Sequence, residues 1–280
     1  MNSAIDLPRE LPALLRDAAR EAGTLALRWF RPGGRTSARI WTKGKSSPVT
    51  EADIEADHYL RGRLSAVEGR FGWLSEETAD SAERLSRRLL FVVDPIDGTR
   101  AFLDGDPRWC VSIAVIADGK PVIAVVHAPS LDLTYEAVAQ GSALLNGVRI
   151  ETSLQVPRSN ARVAGPRFIL DALAGQGGIA PVGKIPSLAL RLCNVADGTL
   201  DAALASRDAN DWDIAAAHLI VERAGGKLAN FEGEVPSYNR ATTLHGRLLA
   251  APTASFDPML ARTRTALGLP RRADAATQPH

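Results

Sequence analysis

The chain has 280 residues, 45% of them hydrophobic, enough to bury a sizeable core as one large or two modest domains. Lysine and arginine (33) nearly balance aspartate and glutamate (32), so a formal charge of +1 gives no general pull toward nucleic acid or an anionic membrane. Any phosphate binding has to be local. The two cysteines, Cys110 and Cys193, fit neither a paired metal or redox motif nor a disulfide scaffold, and read as small core residues in a reducing compartment. The opening residues carry Asp6, Pro8, Arg9, Glu10 and Pro12, unlike a secretory leader, and no apolar run is long enough to span a membrane. The expectation is a soluble, cytoplasmic protein with no integral membrane part, a peripheral contact at the inner membrane being left open.

In chain order, apolar positions from Leu11 to Trp29 recur at helical spacing and stop at Pro32, Gly33 and Gly34, which predicts a first helix. A polar loop through Lys43, Gly44, Lys45, Ser46 and Ser47 leads to a second helix, TEADIEADHYLRGRL, with Thr50 and Asp53 spaced as a capping box. Strands are predicted at Phe71 to Leu74 and Leu89 to Val93. Val111 to Ile116 and Val122 to Val126 flank a hairpin turn at Asp118 and Gly119, and a strand near Leu133 to Ala139 precedes turns at Gly141 and at Asn146 and Gly147. From Arg162 onward the rhythm becomes that of an α/β layer. It has strands near Arg162 to Ala164, Leu200 to Ala205 and Leu248 to Ala251, and helices at Ser187 to Ala196, Trp212 to Ala224 and around Pro258 to Leu267. The expected division is an α+β part over 1–150, an α/β part over 151–270 and a disordered tail over 271–280, with no internal repeat.

The stretch FVVDPIDGTRAF carries the chemistry. Asp94 and Asp97 at the end of an apolar strand, with the Ile96 carbonyl between them, are hard oxygen donors of the kind Mg2+ takes. Gly98 permits a tight backbone approach, and Thr99 with the following amides can open a helix that faces an anion. A type I turn with its proline at the second position explains the same residues structurally. Glu76 and Glu77 at a preceding strand end repel each other unless water or a cation separates them. Asp213, next to Trp212, also reads as a first-turn acid suited to the helix dipole, and Asp53 with Thr50 as a cap. Each acid has a local explanation, but one metal site explains them together more economically.

The ordered set SPVTEAD around Asp53, SEET around Glu76, DPIDGT from Asp94 to Thr99 and WDIAAA from Trp212 resembles the inositol monophosphatase family of lithium-sensitive, Mg2+-dependent phosphomonoesterases. QGSALLNGVRI and the Ala224 to Gly226 run support the resemblance, which spans Leu11 to Ala251. It implies a layered αβαβα sugar-phosphatase fold, of α+β or α/β class. It also implies two or three Mg2+ ions held by Glu76, Asp94, the Ile96 carbonyl, Asp97 and Asp213, with Asp94 shared, and hydrolysis by metal-activated water. Thr99 and Glu76 would orient that water and Asp53 support them, while Gly98, Thr99 and the next amides would cradle the phosphate. A homodimer is a further implication, as is a small phosphorylated metabolite for a partner.

Within the family, SPVT is closer to the CysQ-like branch acting on adenosine 3',5'-bisphosphate than to the DLVT form of inositol monophosphatases. The segment before Trp212 offers Ser206 or Arg207 where inositol monophosphatases carry a glutamate, and Arg207 suits a second phosphate as well as it suits solvent. Arg100 follows the phosphate cradle, Ala101 departs from the branch pattern, and Pro186 precedes Ser187 in place of a usual glycine. Substrate contacts are therefore expected at Gly98, Thr99, Arg100, Ser187 and Arg207. The alternatives are an inositol-1-phosphate or histidinol-phosphate phosphatase and, from another class, a non-catalytic metal- or phosphometabolite-binding regulator. His58, His127, His218 and His245 lack metal spacing, Ser75 and Ser112 lack triad partners, and Lys43 and Lys45 read as a solvated charge run that can also approach the site.

Overall fold

The computed structural model describes residues 7–43, 47–153 and 159–270. The expected tail from Arg271, along with Gly44, Lys45 and Ser46 of the polar loop, lies outside the described residues. In chain order come α1 (Leu11–Leu27), the hairpin β1 (Ile40–Lys43) and β2 (Ser47–Thr50), α2 (Glu51–Leu64), β3 (Phe71–Ser75), β4 (Leu89–Asp97) and α3 (Thr99–Asp104). Then follow β5 (Cys110–Ala117), β6 (Lys120–Ala128), β7 (Leu133–Val138), β8 (Leu144–Leu145) and β9 (Val148–Arg149). The remainder is β10 (Ala161–Ala164), α4 (Arg167–Ala174), β11 (Ile179–Pro181), α5 (Leu188–Ala196), β12 (Ala202–Ala205), α6 (Asp211–Arg223), β13 (Gly226–Asn230), β14 (Leu248–Pro252) and α7 (Thr253–Ala266).

The apolar run of β4 is continuous because both of its faces are covered. Leu89, Phe91 and Val93 pack on one side with Leu11, Leu15 and Ala18 of α1 and Ala56 and Leu60 of α2. Leu90 and Val92 point the other way, into a core with Cys193 of α5 and Ile214 and Ala217 of α6. That central core also takes Ala203, Ala205, Leu248 and Ala250 from the second sheet, whose outer face packs on α4 and α7. The layers are thus α1 and α2, a seven-stranded sheet ordered β3-β4-β5-β6-β7-β8-β9, α5 and α6, a five-stranded sheet ordered β11-β10-β12-β14-β13, and α4 with α7. This is the expected αβαβα arrangement.

The two expected hairpin turns are present with positive φ at both central residues, Asp118 (49°) with Gly119 (78°) and Asn146 (49°) with Gly147 (80°), the mirror-image turn that matches strand twist. Two readings are corrected. The DPID segment is not a type I turn: β4 runs on to Asp97, and a register shift between Asp94 and Asp97 absorbs the proline, which has no N–H to give the ladder. The last helix begins at Thr253, not near Pro258. The chain turns straight out of β14, Thr253 Oγ1 donates to Gly225 O at 2.8 Å, and Pro258 is carried inside the helix. Among the described residues no helix is long and apolar enough to cross a membrane.

Candidate metal centre

The parity of β4 decides where its acid goes. Asp94 shares the face of Leu90 and Val92, so its carboxylate enters the side of the sheet covered by α5 and α6. Its cross-strand partner Ser112 donates to Trp212 O at 3.3 Å and so seats the first turn of α6 beside it. Asp213, in that first turn, accepts from Asn210 N at 2.6 Å. Asp97 closes the strand, and its Oδ2 accepts from Ser187 Oγ at 2.5 Å and Ala189 N at 2.6 Å at the start of α5. One oxygen from each of Asp94, Asp97 and Asp213 lies within 4.8 Å of the others.

The second flank comes from α2 and the end of β3. Asp53 is 1% exposed, and its Oδ2 accepts from Thr50 N at 2.8 Å and Thr50 Oγ1 at 2.5 Å, so the expected capping box is present. Thr99 Oγ1 lies 3.2 Å from Ile96 O and 3.5 Å from Asp53 Oδ1. Glu76 follows β3 and is tied to β4 by its N–H donating to Val93 O at 3.2 Å. Lys43, at the end of β1, pairs with the Glu77 carboxylate and donates to the Glu76 main-chain O at 2.8 Å, offsetting the Glu77 charge beside Glu76. Gly98 turns the chain at φ 95°, and a Cβ there would stand 3.3 Å from Arg108 O and Ser187 Cα.

Electrostatics make this a strained place for charge. Burial, then the negative charge of Asp213, Glu77 and Asp53, pushes Glu76 up to about 8. Asp53 is raised to about 7 by burial, its bonds from Thr50 opposing, and Asp213 to about 7 by burial and the charge of Asp97. Asp94 is raised well above the carboxylate range by burial and by Glu76, Asp97 and Asp213. Burial also raises Asp97, although the donors from Ser187 and the start of α5 pull it back. Asp94 Oδ1 accepts from Ile96 N at 3.0 Å, whereas its Oδ2 is buried with no hydrogen-bond partner among the described residues. A buried, unpartnered carboxylate oxygen among other acids is a costly arrangement that a divalent cation relieves, and all the donors are hard oxygens. The residues present therefore fit a divalent cation.

The structure thus gathers Asp53, Glu76, Asp94, Ile96, Asp97, Thr99 and Asp213, which are spread widely along the sequence. Arg100 is exposed on α3, and Arg207 is exposed on the turn that precedes α6. Ser187 is fully buried, with its hydroxyl committed to Asp97 and accepting from Leu190 N at 3.0 Å, so it supports the acid from behind. His127, His218 and His245 are buried against Thr134, Tyr238 and Asp211, and His58 is exposed. Lys45 lies outside the described residues. The Lys43 to Glu77 pair joins parts of the chain that no local pattern links. Asp57, also buried, was legible only as the residue one helical turn beyond Asp53.

A five-layer α/β fold with an acidic cluster at the end of β4 presents the hard-oxygen donor set that a metal-dependent hydrolase uses. The sequence profile of the inositol monophosphatase family matches residues 8–269, and the chain belongs to that family. It is 34% identical over 232 residues to inositol monophosphatase 2 of Solanum lycopersicum, covering 78% of this chain and 86% of that protein. It is 29% identical over 231 residues to the 3'(2'),5'-bisphosphate nucleotidase CysQ of Escherichia coli, covering 79% and 90%. The crystal structure of the extragenic suppressor protein SuhB of Bartonella henselae superposes with a TM-score of 0.80 at 26% identity, covering 91% of this chain and 98% of that one.

Proposed function

We propose that this phosphatase is a Mg2+-dependent phosphomonoesterase whose substrate is a small bisphosphorylated nucleotide of the adenosine 3',5'-bisphosphate type, hydrolysed to AMP and phosphate. The observation that carries the reaction class is the cluster of Asp94, Asp97 and Asp213, with oxygens within 4.8 Å of one another and Asp94 Oδ2 buried without a partner. Glu76, Asp94, the Ile96 carbonyl, Asp97 and Asp213 would hold two or three Mg2+ ions. When bound, such ions neutralise phosphoryl charge and lower the pKa of a coordinated water.

The chain's own groups supply the orientation. Thr99 Oγ1, which lies between Ile96 O and Asp53 Oδ1, and the Glu76 carboxylate, ionised once a cation offsets its raised pKa, would align a water and draw off its proton. Asp53, itself held by Thr50, keeps the Thr99 hydroxyl in place. Gly98, Thr99 and the amides that follow would meet the phosphate. Arg100 and Arg207, exposed on the segments that lead from Thr99 and into Asp213, are the groups for a second phosphate, a task suited to guanidinium. An inositol phosphate is the second reading, favoured by the 34% identity to a protein named inositol monophosphatase 2. A homodimer in the cytoplasm completes the proposal.

The deciding experiment compares kcat/KM for adenosine 3',5'-bisphosphate, inositol-1-phosphate, histidinol phosphate and fructose-1,6-bisphosphate, each with and without Mg2+ and with Li+ added. Phosphate release is expected only with Mg2+, reduced by Li+, and fastest on the bisphosphate. Metal-independent turnover overturns the reaction, and preference for inositol-1-phosphate overturns the substrate alone. An absence of turnover on all four would favour a binding protein that keeps the fold without the catalysis.

A further inference from the structure

One helical turn beyond Asp53, α2 carries a second buried acid, Asp57, 3% exposed. Both of its oxygens are spent on the turn that follows β3. Ser75 Oγ donates to Oδ1 at 2.5 Å, and Thr78 Oγ1 donates to Oδ2 at 2.7 Å. Ser75 Oγ accepts in turn from Glu77 N at 3.3 Å. Ser75, Glu77 and Thr78 bracket Glu76, whose own main chain is held by Val93 O on one side and Lys43 Nζ on the other. The backbone either side of Glu76 is therefore pinned to the same helix that presents Asp53.

The choice of an acid at position 57 has a cost and a reason. Its negative charge adds to the burial that raises Glu77, in a region already crowded with carboxylates. A carboxylate, however, is the one short side chain that accepts from two hydroxyls at once through two separate oxygens, whereas an amide offers a single acceptor atom. Two hydroxyl donors from residues 75 and 78, received by one planar group, fix the turn between them more tightly than either bond alone.

We propose that Asp57 is a positioning residue: by clamping Ser75 and Thr78 it holds the Glu76 carboxylate against Asp94 and Asp213, and it thereby sets the cation affinity of the site. This rests on the reading that the acidic cluster binds a divalent cation. Asp57 acts through the turn and touches neither cation nor substrate, as the groups that orient metal ligands from behind commonly do.

The test is calorimetric titration of the substrate-free protein with Mn2+, together with the Mg2+ dependence of the rate and the melting temperature. Asp57→Ala is expected to weaken Mn2+ binding by roughly 10- to 100-fold and to raise the Mg2+ needed for half-maximal rate in parallel. At saturating Mg2+ most of the kcat should return, because the ligands themselves remain. Asp57→Asn, keeping one acceptor, should fall between this variant and the wild type, and Thr78→Val, removing one donor, should shift affinity less than Asp57→Ala. If Asp57→Ala does not fold, Asp57→Asn and Thr78→Val decide. Wild-type Mn2+ affinity in folded variants overturns the proposal, as does a fall in melting temperature with affinity unchanged. A wild-type protein that binds no Mn2+ fails the functional reading instead, and shows it before any variant is made.

Discussion

The start of α6 places two aspartates two positions apart in opposite kinds of surroundings. Asp211 is fully buried, yet its Oδ1 accepts from His245 Nε2 at 2.7 Å and its Oδ2 from Asn239 N at 3.2 Å. Beside it, His218 Nδ1 meets the Tyr238 hydroxyl at 2.8 Å, so this network matches polar groups in pairs. Asp213 instead faces Asp94 and Asp97, with an unpartnered oxygen at the centre. Asp94, at 1% exposed, is as buried as Asp211 at 0% and yet has the unpartnered oxygen, so burial alone does not separate the two kinds of acid. What separates them is whether the chain itself completes the hydrogen bonding or leaves it to be completed from outside.

That contrast can be broken by exchanging the roles. Asp94→Asn is expected to reduce phosphatase activity by about a thousandfold or more, since a cation site contributes several kcal/mol to transition-state stabilisation. Without added metal the same variant should melt no lower than the wild type, because it replaces a buried carboxyl whose ionisation its acidic neighbours already oppose. A large loss of stability there would mean that Asp94 is a structural acid like Asp211. The converse variant, Asp211→Ala, strands the Asn239 N–H and the His245 ring, and should cost about 3 kcal/mol in denaturant unfolding. If it unfolds with wild-type stability, the division between the two regions fails.

The smallest effect is in pH. Asp53 and Glu76 hold protons to about 7 and about 8 in the metal-free fold, which the unfolded chain releases near 4. A raised carboxyl therefore lends stability that is complete at acid pH and disappears as pH climbs through those values. His127 and His218, lowered to about 4 by burial, run the other way, but their contribution is already complete above the ordinary histidine range. Between pH 7 and 8.5 only the acids are still changing in this set, so the unfolding midpoint of metal-stripped protein should fall over that interval. Saturating Mg2+ should flatten the decline. A flat profile without metal would show that the cluster is less crowded than its distances indicate.

Much of this was legible in the sequence wherever a local pattern was strong. The period of α1, the turn residues of two hairpins and the motifs around Asp53, Asp94 and Asp213 all appear in the structure as elements or as neighbours in the cluster. Short elements without a pattern of their own escaped, among them α4 after Pro166, the three-residue β11, and β13, whose GKLAN carries little apolar signal. DPID was ambiguous because turn chemistry and a bulged strand end use the same residues; long-range pairing with Cys110 and Ser112 resolved it. Ser187 behind Asp97, Lys43 on Glu77 and Asp57 under the 75–78 turn depend on tertiary contacts that no window of sequence contains.

The acids of the cluster also lie far apart along the chain, Asp97 and Asp213 being separated by more than a hundred residues. A polypeptide still emerging from the ribosome cannot assemble them until α6 has appeared and docked, and contacts of such long range form slowly. On the proposed reading, the full set of carboxylates that would hold a cation is therefore complete only late in folding.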